Sequence, residues 1–111
     1  MKTIKELRAA DALKLAERLN PDPTPAEIET ATKAMRAYYR FCAAYQASFY
    51  TEQSRDASEA EKAAADLKSE RAYKRATDAL KPYKLKIDVP GLYPIIDNLS
   101  GSNFTYGHFY H

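Results

Sequence analysis

His108 and His111 are the only imidazoles in the chain, and so the side chains best suited to hold a metal or move a proton. They do not make a site by themselves. On a strand, residues three apart point to opposite faces, and further ligands such as Asp88 or Asp97 would have to be recruited from elsewhere. Glu59 and Glu61 are paired carboxylates, but they fall at a helix start, where the helix dipole and capping account for them better than acid–base work. Cys42 is the single cysteine, which rules out an internal disulfide. Its place on an apolar helix seam makes it a small buried hydrophobe rather than a reactive thiol. There is no G-x-S-x-G elbow and no Walker loop, and three glycines could hardly supply a phosphate cradle. Ser100-Gly101-Ser102 is a loop signal. These patterns predict a non-enzymatic chain with no metal and no cofactor.

Two other groups of residues suit macromolecular contact. Between Lys68 and Lys86 stand seven bases (Lys68, Arg71, Lys74, Arg75, Lys81, Lys84, Lys86) against two acids (Glu70, Asp78), while the whole chain carries only +2. With Tyr73 and Tyr83 interleaved, such a segment suits phosphate contact with base stacking. The competing account is a solvated helix face, with Glu70–Lys74 as an i,i+4 pair and Lys84 and Lys86 protecting a strand edge. The connections lack the tight glycine turn of a helix-turn-helix. The second group is aromatic. Of nine Tyr and four Phe, six lie from Tyr83 onward. Tyrosine gives large contact area at low entropic cost, so Tyr93, Phe104, Tyr106, Phe109 and Tyr110 are candidates for partner contact, together with Phe41 and Tyr50.

The elements that must position these residues are mostly helical. Three helix starts are signed by capping boxes: Thr3 with Glu6, Thr24 with Glu27, and Ser58 with Glu61. The helices are expected at about 3–19, 25–51 and 58–81, with Asn20-Pro21 ending the first and Pro82 the third. In the second, Ile28, Ala31, Met35, Tyr38, Cys42, Tyr45 and Phe49 alternate at three and four, the a/d seam of a packing helix. Its polar stripe, Glu29, Lys33, Arg36 and Arg40, gives way to Ala43, Ala44 and Ala47, and no residue from Phe41 to Thr51 is charged. That end is expected to be enclosed by the fold or covered by a partner. In the third helix the apolar positions form two lines, Ala60, Ala64 and Leu67, then Tyr73, Ala76 and Leu80.

After Tyr83 the period changes to two, predicting a strand at about 83–89. Proline at 94 and glycine at 101 suggest a helical turn over about 94–100, and the aromatic tail reads as a second strand at about 104–110. The expectation is a single mainly helical α+β domain over residues 1–111: a three-helix bundle-like core, a long central helix, and a small C-terminal two-stranded β element. The uncharged run of eleven is about half a membrane span, and the N-terminus lacks the apolar run of a signal peptide, so a cytoplasmic chain is expected. Size and lack of motifs predict a small regulatory or accessory protein that binds another protein, such as an inhibitor of a host enzyme encoded by a mobile element. A homodimer through the second helix is one version of this. Nucleic-acid binding by residues 68–86 is the alternative.

Overall fold

The computed structural model describes residues 3–89 and 94–97. Helix α1 spans Ile4–Leu19, α2 spans Pro25–Gln53 and α3 spans Glu59–Leu80. A 3-10 turn, Lys81–Tyr83, leads to strands β1 (Lys86–Asp88) and β2 (Ile95–Asp97). The fold is mainly helical α+β, as the sequence predicts.

Each helix begins where its capping residues place it. The Thr3 hydroxyl accepts from the Glu6 N–H at 3.1 Å. At Thr24 and Ser58 the box is reciprocal: Thr24 Oγ1 accepts from Glu27 N–H while Glu27 accepts from Thr24 N–H, and Ser58 and Glu61 do the same. Pro25 opens α2 at a position where a missing N–H costs nothing. The Asn20 side-chain amide also donates to Glu27 at 3.0 Å, locking the proline-rich link across the α1–α2 corner.

Helix α2 is the spine. Its seam residues Ala31, Met35, Tyr38 and Cys42 are buried against Ala12, Leu15 and Ala16 of α1, Ala76 and Leu80 of α3, and Tyr83, Leu85 and Ile96 beyond. Over these residues the seam is internal core, while farther along Tyr45 is half-buried and Phe49 is exposed. Helix α1 is about 24 Å long and α2 about 43 Å, so α1, returning antiparallel, covers only the first half of α2. Tyr39 ties the two helices together, donating to Asp11 at 3.1 Å with Arg8 stacked 4.5 Å from its ring centre.

The C-terminal part differs from expectation in two places. The strand predicted from Tyr83 shortens to Lys86–Asp88, because Tyr83 closes the 3-10 turn and Lys84 adopts a left-handed conformation at φ 58°. There Lys84 N–H bonds the Lys81 carbonyl and Leu85 N–H the Leu80 carbonyl, so the turn ends α3 in place of the missing glycine. The helical turn expected at 94–100 is instead β2 over Ile95–Asp97, antiparallel to β1 with Ile87 opposite Ile96. Two adjacent β-branched residues favour extended backbone once a partner strand is present. The strand expected at 104–110 lies outside the described residues.

Candidate binding groove between α2 and α3

Helix α3 returns antiparallel along α2 and turns Ala65, Ser69, Ala72, Ala76 and Leu80 toward it, at spacings of three and four. The first apolar line read from the sequence does not pack there. Ala60, Ala64 and Leu67 are exposed, Leu67 by 46 %. Ala64 and Leu67 instead line one wall of an open groove of about 840 Å³ on the flank of the α2–α3 pair. The other wall is α2, through Arg40, Ala43, Ala44 and Ala47. The charge-free half of α2 thus ends up as half of a groove, and the lost polar stripe is its floor.

Four bases edge this floor: Arg40 from α2 and Lys68, Arg71 and Arg75 from α3, all exposed. Among the described residues no carboxylate lies within ion-pair range of any of them. For three of the four, local sequence explains why. One turn away on either side, Arg40, Lys68 and Arg71 meet only alanine, leucine or another base. The Glu70–Lys74 pair suggested by spacing is not formed either. Like charges at such spacing cost a helix roughly 0.2–0.5 kcal/mol a pair, so α3 carries this cluster at some expense to itself. An anionic ligand would relieve that repulsion, and an apolar one would dry the alanines; the groove suits a ligand that is both.

The remaining candidates are scattered. Lys74 is exposed on α3 but does not line the groove. Lys81, Lys84 and Lys86 are exposed beyond the C-terminal end of α3, in the 3-10 turn, its left-handed cap and β1. The two tyrosines interleaved with the bases are not stacking platforms in the groove. Tyr83 is buried in the core, where its carbonyl accepts from Arg18 Nε at 2.8 Å, and Tyr73 packs edge-on against Phe41 with ring centres 5.2 Å apart. Phe41 itself is buried between Tyr45 and Tyr73, so it belongs to the core and offers no surface to a partner. Tyr50 is exposed by 54 % and sits beside Phe49 at the far end of α2. Tyr93, Phe104, Tyr106, Phe109 and Tyr110 lie outside the described residues.

Reactive chemistry is sparse. Burial pushes the Cys42 thiol up to about 12, which leaves it protonated and unreactive at neutral pH. Among the described residues no three His, Cys, Asp or Glu side chains gather as a metal site, and both histidines lie outside them. Among the same residues, no helix is long and apolar enough to cross a membrane. Sequence reasoning missed Arg40 as a partner of the 68–75 bases. Its signal was present, since Arg40, Ala43, Ala44 and Ala47 share one helical stripe. Comparison with known protein families, with characterised proteins and with solved structures finds no match.

Proposed function

We propose that this chain is a small non-enzymatic binding protein that docks another protein in the α2–α3 groove. The observation that carries this reading is the pairing of an apolar alanine and leucine floor with four bases at its edge that have no ion pair among the described residues. Exposed ion pairs are each worth only about 0–1 kcal/mol, so the bases select and steer an acidic partner while the apolar floor holds it. A regulator or inhibitor acts by such occupation of a partner's surface, with no chemistry of its own.

Nucleic-acid binding is the second reading, and the same four bases favour it. Against it, phosphates gain nothing from an apolar floor, Tyr83 is buried, and Tyr73, although 43 % exposed, packs on Phe41 and does not line the groove. Affinity purification from the source cell, with nuclease treatment, separates the two. The expected result is a protein retained by the wild type after nuclease and lost with the Arg71→Glu, Arg75→Glu double variant. Micromolar binding to duplex or single-stranded DNA that falls steeply with salt and is lost in that variant would overturn the protein reading.

A further inference from the structure

A second groove of about 460 Å³ lies between α1 and α2, and it too is basic. Lys5 and Arg8 enter it from α1 and Arg36 from α2, over a floor that includes Ala9, Ala12 and Met35. Both grooves have α2 as a wall. Helix α2 presents Thr32, Arg36 and Tyr39 to the α1–α2 groove and Arg40, Ala43 and Ala47 to the α2–α3 groove, and Thr32, Arg36, Arg40, Ala43 and Ala47 step by three or four along a single strip with Tyr39 beside it. Among the described residues that line the two grooves there are seven bases and no acid, in a chain of 17 basic and 15 acidic residues. The acid on the same side of α2, Glu29, lies outside both grooves and is paired with Lys33 at 3.7 Å. Lys5 and Arg36 have no ion pair among the described residues.

We infer that the two grooves are one continuous docking face, and that its occupant is an acidic amphipathic helix of the partner protein. This rests on the protein-binding reading above and narrows it. From Thr32 to Ala47 the strip runs for about 22 Å, which a partner helix of roughly 15 residues, or four turns, would match. Small floor residues let helix axes approach closely, toward the short end of the usual 8–10 Å. Such a helix crosses the α2 ridge from one groove to the other, its apolar stripe on the alanines and its carboxylates flanking that stripe toward Lys5 and Arg36 at one end and Arg71 and Arg75 at the other. A nucleic acid would meet the charges but leave the floor unused.

The test uses the full chain and a fluorescent synthetic peptide of about 18 residues, with leucine and alanine on one helical face and glutamate beside it. A peptide of the same composition in scrambled order and a DNA duplex serve as comparators. The expected result is binding at least about tenfold tighter for the helical peptide than for the scrambled one. The Lys5→Glu, Arg36→Glu pair and the Arg71→Glu, Arg75→Glu pair should each weaken it by a similar factor. Circular dichroism of each variant checks that the helices remain, and amide chemical shifts of the wild type should move in both grooves. Equal binding of the scrambled peptide, or none of either, overturns the helix proposal. Loss only with the Arg71, Arg75 pair shows a single groove, which overturns the continuous face and leaves the protein-binding reading standing. Tighter binding of the duplex, with the same charge dependence, overturns both.

Discussion

Tyr38, at the centre of α2, donates its hydroxyl proton to the backbone carbonyl of Pro94 at 2.8 Å, across 56 residues of chain. Both groups are buried, so this bond is what satisfies the Pro94 carbonyl where β2 meets the helices. Replacing Tyr38 with Phe keeps the ring and orphans a buried acceptor. The expected loss is about 1–3 kcal/mol, read as a lower midpoint in urea denaturation. An unchanged midpoint would mean that water replaces the hydroxyl.

Lys84 adopts the left-handed conformation that glycine accepts at no steric cost. It is exposed, and no ion pair among the described residues holds it there. Lys84→Gly is therefore expected to stabilise the protein by roughly 0.5–1 kcal/mol, measured by the same denaturation. A destabilised variant would mean that the lysine side chain contributes more than its backbone costs.

Glu27 gives the fold an acid-side dependence. Its carboxylate accepts from the Thr24 N–H and from the Asn20 amide, and these bonds hold its pKa below the ordinary 4.5. The native state therefore binds fewer protons than the unfolded one. The stability this contributes is present in full above the ordinary value and is lost as pH falls through the lowered native value. Glu27→Gln should flatten the decline in stability between neutral pH and about pH 3. Parallel curves for wild type and variant would contradict this.

The helices and their limits were legible because local rules set them. Thr24, Pro25 and Glu27 sign the start of α2, and the Ala31–Met35–Tyr38–Cys42 spacing marks the buried seam. What the chain did not disclose locally depended on distant partners. Ile95 and Ile96, between Pro94 and Gly101, fit a short helix as well as a strand until Ile87 is brought opposite Ile96. Ala60, Ala64 and Leu67 read as a packing line, and only the true seam through Ala72, Ala76 and Leu80 shows them left over to line a groove or face solvent. Arg40 joins Lys68, Arg71 and Arg75 only because α3 folds back on α2. Propensity cannot report such a juxtaposition.

Arg71 separates function from stability. Lys68, Lys74 and Arg75 all lie one turn from it, so reversing its charge replaces repulsion by attraction. Arg71→Glu is expected to leave stability unchanged or raise it by up to about 0.5 kcal/mol, while partner binding falls at least about tenfold. A variant that loses stability along with binding would place Arg71 in the structure and not at the interface.

The central claim is that a protein occupies the α2–α3 groove. The most direct measurement places a photo-crosslinking phenylalanine analogue at Leu67 in the groove, and at Leu13, which is similarly exposed on α1 but lines neither groove. After irradiation in the source cell and nuclease treatment, the account predicts a discrete protein adduct from Leu67 and none from Leu13. Adducts with nucleic acid alone, or a protein adduct from Leu13 and not from Leu67, would contradict it.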